Sequence, residues 1–300
     1  MSQGSFFAPL RCPACLSEQV RIGPQSRTTG SMVATCLRCD THWLGNSASA
    51  EEIAQSYDFD HEAYGAYVDA QRHDTLDLAH EEALRRIGEM IQSGGKALFD
   101  IGAGVGDFLS LARDRGFEPH GNELAPGAIT LAKERAGIDL HFGDLSGIEG
   151  ENLYDAVTMW CVLAHVGQPD ELLTHILRVL KPGGVLFLQT PRWSAMDTMA
   201  LGMSRFSGGR QARVLDRRVN NAHIVLHSKQ GLTAQVERAG FDIVDVQALA
   251  RYSMKTESYL SSLGVPEGLG RIATKGLDQA VDRNIFFRNI FDLYARKPLA

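Results

Sequence analysis

Between Lys96 and Gln189 the chain alternates short apolar runs with helical patterns, and this alternation constrains the fold more than any other feature of the sequence. A helical spacing over Ala79–Ile91, carried by Leu84, Ile87, Met90 and Ile91, leads into an apolar strand at Lys96–Ile101. A helix over Val105–Arg115, a strand at Phe117–Asn122, a helix over Pro126–Ala136 and a strand at Asp139–Phe142 follow. Beyond them come the near-continuous apolar run Asp155–Leu163, a helix over Asp170–Leu180, turn chemistry at Lys181-Pro182-Gly183-Gly184 and a strand at Val185–Gln189. Short apolar strands separated by helices predict an α/β fold, a doubly wound parallel sheet buried on both faces. Ligands of such sheets bind beyond the carboxyl ends of the strands.

Those ends carry a pattern. Asp100-Ile101-Gly102-Ala103-Gly104-Val105-Gly106 closes the first strand with an acid and opens the next helix with glycines, which let backbone turn sharply and approach a ligand beside free N–H groups. The spacing is not the G-x-G-x-x-G of a dinucleotide binder. Glu123 closes the second strand, where a carboxylate can accept both hydroxyls of a ribose, and Asp144 follows the third, placed to accept from an adenine amine. Any one of these acids could be a helix cap; the three together describe an adenosine site with no phosphate-binding lysine.

The first 39 residues hold four of the five cysteines, as Cys12/Cys15 and Cys36/Cys39 in a C-x2-C-x20-C-x2-C arrangement. Two C-x-x-C turns on one hairpin match the four-thiolate tetrahedron of structural zinc, so residues 1–46 read as a zinc ribbon. A piece this small has little core of its own, and metal binding supplies its folding free energy. His42, three residues past Cys39, is expected on the surface.

Residues 47–75 read as an acidic, aromatic connector: from Glu51 to Glu82 ten acids face one base, Arg72, and Tyr57, Phe59, Tyr64 and Tyr67 interrupt them as a stripe suited to packing along a helix. The segment 192–229 has the opposite sign, with Arg192, Arg205, Arg210, Arg213, Arg217, Arg218 and Lys229 against Asp197 and Asp216, interleaved with Met196, Met199, Met203 and Phe206. It reads as a lid inserted in the core fold (residues 76–300) that meets an anionic or carrier-bound acceptor. The whole chain carries a net charge of −6, which argues against a nucleic-acid partner, and no apolar run approaches the roughly 20 residues of a membrane span. With no leader-like start, the cytoplasm is the expected compartment.

From about Leu76 onward the sequence resembles the class I S-adenosylmethionine-dependent methyltransferases, in the branch of ubiquinone-type, natural-product and glycan enzymes. Its D-x-G-x-G-x-G pattern is met by Asp100, Gly102, Gly104 and Gly106, and its G-D-L by Gly143-Asp144-Leu145. Trp160-Cys161-Val162-Leu163-Ala164-His165-Val166, Leu180 to Gly184, Thr190-Pro191, His223 to Ser228 and Ala239-Gly240-Phe241 continue the match. The resemblance implies a Rossmann-like seven-stranded sheet whose last strand, Phe287–Arg296, runs antiparallel beside Phe241–Gln247. It implies S-adenosylmethionine held by Asp100, Gly102, Gly104, Gly106, Glu123, Leu124, Asp144, Leu145 and Trp160. The expected reaction is methyl transfer to a small-molecule or sugar acceptor, foremost to a hydroxyl. His165 is the first candidate for the base that takes the hydroxyl proton, and His223 the second; His141 and His227 rank below them. The acid that precedes the histidine in ubiquinone-type relatives, where it helps hold a divalent cation, is Ala164 here, so no catalytic metal is expected. C-methylation of a nucleotide-linked deoxysugar is the alternative, since some of those enzymes also begin with four zinc-binding cysteines; a non-catalytic cofactor binder and a ribbon-based interaction protein are two others.

Overall fold

A computed structural model describes residues 11–45, 74–92, 94–211, 213–219, 223–251 and 288–299, with single positions 274, 276 and 279. Of the expected connector only the last two residues, Asp74 and Thr75, fall among them; its aromatic stripe lies outside the described residues, as does Phe287.

The large sheet has seven strands: β4 (Ala97–Ile101), β5 (Glu118–Glu123), β6 (His141–Phe142), β7 (Tyr154–Trp160), β8 (Leu180–Pro191), β10 (Asp242–Leu249) and β11 (Ile290–Arg296). Their order is β10-β11-β8-β7-β4-β5-β6, with β4 to β8 mutually parallel. The last strand, β11, is antiparallel to both neighbours, β8 and β10. Side-chain alternation sorts two cores. Phe99, Ile101, Val157, Met159, Leu186 and Leu188 pack with Leu173 and Ile176 of α4 (Pro169–Val179) and Leu232 and Val236 of α7 (Lys229–Arg238). On the other face Leu98, Ala156, Phe187 and Tyr294 meet Leu84 and Ile87 of α1 (Asp74–Met90) and Phe108 and Leu109 of α2 (Asp107–Asp114). Burial on both faces is what makes β7 read as a near-continuous apolar run, broken only by Asp155 and Thr158.

Two local readings change. The helix expected over Pro126–Ala136 is regular only as α3 (Pro126–Leu131); Ala132–Ala136 winds as a wider π turn that closes on Gly137 at φ +64°. The expected turn at Lys181–Gly184 lies inside β8, which begins at Leu180, because a bulge between the Tyr154 and Ala156 pairings absorbs the extra residues and Gly183 takes φ +73°. Lys181 is held there by the buried Asp155 carboxylate at 2.8 Å.

A second sheet joins distant parts of the chain. The N-terminal strands β1 (Val20–Ile22), β2 (Val33–Cys36) and β3 (His42–Leu44) form an antiparallel ribbon, and its fourth strand is β9 (Val225–Leu226) from the inserted segment. The insert also holds α5 (Ala195–Phe206), started by a reciprocal Ser194/Asp197 capping box, and α6 (Arg213–Arg218). Val33, Trp43 and Leu44 of the ribbon share one apolar cluster with Trp193, Leu201, Leu215 and Ile224 of the insert. Met199, Met203 and Phe206 of α5 remain exposed.

Candidate functional site

The register of β5 between β4 and β6 sets the strand-end acids side by side. Asp100 faces Gly121, Ile101 faces Asn122, and Glu123 faces Phe142. Gly121 has no space for a side chain, since a Cβ there would stand 2.9 Å from both the Asp100 carbonyl and Leu109. Past β4 the chain turns through Gly102 (φ +67°), Gly104 (φ +56°) and Gly106 (φ +80°), all left-handed values that L side chains rarely adopt. At Gly102 a Cβ would also strike Val162 at 2.8 Å, so the loop lies directly against the segment following β7.

Each acid has a partner. Asp100 is buried and accepts from Thr158 Oγ1 at 2.6 Å; burial pushes its carboxyl up to about 8 against that hydrogen bond, with the Glu123 charge adding to the rise. The Glu123 carboxylate accepts from the Gly104, Leu124 and Ala125 N–H groups at 2.9, 2.7 and 3.0 Å, which ties the second strand end to the glycine loop. Leu124 itself is 54% exposed beside it. Asp144 caps the short 3-10 turn Leu145–Gly147 through the Ser146 N–H at 2.9 Å, and the Ser146 hydrogen bonds hold its carboxyl below the usual range. Cap and ligand are compatible roles here, because Asp144 is exposed and Leu145 anchors the turn in the core.

Beyond β7 the structure brings together the two histidines singled out in the sequence. His165 ends a 3-10 turn (Leu163–His165), His223 precedes β9, and their ring centroids are 4.9 Å apart. The Ile224 N–H donates to the Ala164 carbonyl at 2.9 Å and fixes this approach. Burial lowers His165 to about 4; burial, His165 and Arg218 together lower His223 to about 3. Both imidazoles are therefore neutral near pH 7. His227 is not part of this pair: it is buried, with Thr190 Oγ1 at 3.3 Å and Gln235 Oε1 at 3.2 Å, so it reads as a structural bond between β8 and α7. His141 is exposed on β6, its Nε2 close to Gly143 and Gly147 on the Asp144 side.

A family profile described as "Methyltransferase domain" matches residues 69–246. The chain belongs to the class I S-adenosylmethionine-dependent methyltransferases. It is similar to an uncharacterized methyltransferase of Mycolicibacterium vanbaalenii, 27% identical over 170 residues that cover 55% of this chain and 66% of that protein. To the mitochondrial ubiquinone biosynthesis O-methyltransferase of Schizosaccharomyces pombe it is 32% identical over 105 residues, 32% of this chain and 38% of that one. The match thus spans less than two thirds of these curated relatives' lengths. A crystal structure from Galdieria sulphuraria, provisionally assigned as a sarcosine dimethylglycine methyltransferase, shares the fold at TM-score 0.52 and 19% identity, covering 75% of this chain and 86% of its own.

In this methyltransferase Trp160 packs in an aromatic cluster, with ring centroids 4.4 Å from His80, 5.2 Å from Phe108 and 4.7 Å from Phe187, while its buried Nε1 has no hydrogen-bond partner among the described residues. Three features escaped sequence reading. Thr158 holds Asp100 and is indistinguishable from core in an apolar strand. Cys161 takes φ +59°, strained for a non-glycine residue, and burial pushes its thiol up to about 12. A buried polar chain runs from Cys161 Sγ to Gln189 Oε1 at 3.5 Å, from Gln189 Nε2 to Asp292 at 3.0 Å, and from Arg251 to Asp292 at 2.7 Å. Its available signal was the lone acid in the apolar strand Ile290–Arg296.

The sulfur atoms of Cys12, Cys15, Cys36 and Cys39 all lie within 4.8 Å of one another. Cys12 and Cys39 Sγ are 3.6 Å apart and Cys15 and Cys36 Sγ 3.5 Å, against about 3.8 Å for the edge of a tetrahedron with zinc–sulfur bonds of about 2.3 Å. The Cys15 and Cys39 N–H groups point back at Cys12 and Cys36 Sγ, at 3.5 and 3.4 Å, as in metal-binding knuckles. His42 departs from expectation. It is 3% exposed and stacks on Trp193 with centroids 3.6 Å apart and planes 4° from parallel, because β3 is covered by the insert.

Proposed function

We propose that the chain transfers a methyl group to a hydroxyl of a small-molecule or sugar acceptor. S-adenosylmethionine supplies an electrophilic methyl on sulfur. The chain's residues do the rest: the glycine loop admits the cofactor to the backbone, Glu123 accepts from the ribose hydroxyls, and Asp144 with Leu124 and Leu145 borders the adenine. One observation carries the reading. At the end of the strand next to the glycine loop, a pair of partly buried neutral imidazoles, His165 and His223, offers a proton acceptor to a hydroxyl aligned for displacement. Cationic charge acts on it, since Arg218 lowers His223 and donates to the Arg192 carbonyl at 2.8 Å, and this favours an anionic or carrier-bound acceptor. Arg192 lies over Phe291 at 4.8 Å, near Arg288, and its buried Nε has no hydrogen-bond partner among the described residues. Zinc in the four-cysteine cluster has a structural role, since four thiolates leave it no open position.

The test is native mass spectrometry of the purified chain for bound S-adenosylmethionine or S-adenosylhomocysteine, followed by transfer of labelled methyl to a panel of anionic hydroxyl compounds. Failure to bind either nucleoside refutes the reading, and label recovered on carbon reassigns it to C-methylation.

A further inference from the structure

The cysteine cluster and the histidine pair are connected through main chain. β3 emerges from the second cysteine turn and pairs antiparallel with β9, His42 opposite Leu226 and Trp43 opposite Val225. The Leu44 N–H donates to the Ile224 carbonyl at 2.9 Å, and the Ile224 N–H donates in turn to the Ala164 carbonyl at 2.9 Å. A single residue, Ile224, thus bridges the ribbon to the end of β7 through its N–H and its carbonyl, with His223 before it and His165 beside its acceptor.

Other contacts clamp the same parts. His42 stacks on Trp193, and the Ser26, Thr29 and Ser31 hydroxyls all donate to Asp216 of α6, at 2.8, 3.0 and 2.9 Å. Ser228, the N-cap of α7, donates to the Cys39 carbonyl. Gly231 of α7 lies so close that a Cβ would fall 2.1 Å from Thr41 Oγ1 and 3.2 Å from Cys39 Sγ. The apolar cluster of the ribbon is shared with the insert, so each side lacks a core without the other. Metal-binding free energy is then folding free energy of both. The glycine loop, Glu123 and Asp144 are held by separate bonds of the large sheet.

We propose that the metal-loaded ribbon is a wall of the acceptor site, positioning His223 against His165, and that metal loss opens this half of the protein while the cofactor half stays formed. The positional claim stands on the contacts above; calling the half an acceptor site rests on the function proposed for the histidine pair.

The experiment compares the full chain, carrying one zinc, with Cys36→Ser. Amide exchange in peptides covering 223–228 and 42–44 should accelerate at least tenfold, and the nuclear Overhauser contact between the His165 and His223 rings should vanish, while calorimetric affinity for S-adenosylhomocysteine changes less than twofold. Trp193→Ala, which keeps all four cysteines, provides the second arm: the same ring contact weakens and Trp193→Phe restores it. Unchanged protection at 223–228 after zinc loss overturns the proposal, as does a parallel loss of cofactor affinity. If His165→Ala and His223→Ala both leave turnover intact, the proposed role of the pair fails while the exchange result still decides the coupling.

Discussion

The two halves of this protein are stabilised by different means. The cofactor half is built on five mutually parallel strands, β4 to β8, whose ends are fixed by register and by glycines in left-handed or tightly packed positions, with Glu123 bonded to the glycine loop. The ribbon–insert half has four short strands, one shared apolar cluster and a four-cysteine cluster, and it buries a set of neutral histidines. The first is stable through local pattern; the second depends on contacts between residues far apart in the chain, such as Ser26 with Asp216, 190 positions away. The acceptor site proposed across them can lose one side without the other.

Acid should separate the halves most strongly. Burial lowers His42, His165 and His227 to about 4 and His223 to about 3, and all four lie in the ribbon, in the insert or at the strand end facing it. The folded state keeps them neutral while the unfolded chain protonates near 6.5. Their contribution is therefore complete above about pH 6.5 and is lost as the pH falls toward 4. Asp100 runs the other way: raised to about 8, it holds a proton that the unfolded chain has released, so its contribution grows on acidification from 8 toward 4. A tenfold difference in proton affinity is worth about 1.4 kcal/mol, and four histidines act together. Hydrogen exchange at pH 5, corrected for intrinsic rates, should show the ribbon and insert opening before β4 and β5; uniform opening would contradict the comparison.

Catalysis divides the halves next. His165→Ala should lower turnover about 10²-fold or more and leave cofactor affinity nearly intact, the scale for losing a positioned proton acceptor. Turnover that survives there but disappears in His223→Ala moves the base to the insert. Glu123→Ala should do the reverse. Affinity for S-adenosylmethionine falls by about 1–3 kcal/mol, as expected for lost charge-assisted hydrogen bonds, with no change in zinc content. Calorimetry showing unaltered affinity would remove the ribose assignment.

The cofactor half was legible in the sequence because its signals are local. Asp100, Gly102, Gly104 and Gly106 lie within seven residues, and the strand-end acids follow at strand–helix intervals. The cysteine spacing was equally readable. What the sequence concealed is the docking between them: β9 is two residues long, and nothing in Val225-Leu226 announces pairing with a strand near position 43. The same blindness put His42 on the surface, since the residue that covers it, Trp193, is 151 positions away. Any one of the strand-end acids could be a helix cap from sequence alone, and Asp144 is one, capping the 3-10 turn that follows it. Thr158, Gln189 and Asp292 were hidden because a polar residue in a buried strand is identified by its cross-strand partner, which only register supplies.

The smallest expected effect comes from the hydroxyl clamp. Asp216 on α6 accepts from Ser26 through one oxygen and from Thr29 and Ser31 through the other, at a partly exposed position where solvent competes. Asp216→Asn keeps the shape but replaces one carboxylate oxygen with an amide donor, so at least one hydroxyl must turn away. A hydrogen bond to a charged group contributes about 1.5–3 kcal/mol when well shielded and less where water can replace it, so a loss near 1 kcal/mol is expected. Because the clamp joins the ribbon loop to the insert and not to the metal, zinc should stay bound and cofactor affinity should be unchanged. The deficit should be confined to exchange protection in residues 26–31 and 213–219. An Asp216→Asn chain that releases zinc as readily as Cys36→Ser would mean that the metal cluster cannot form until the insert is docked, and the ribbon would then be the dependent partner of the two.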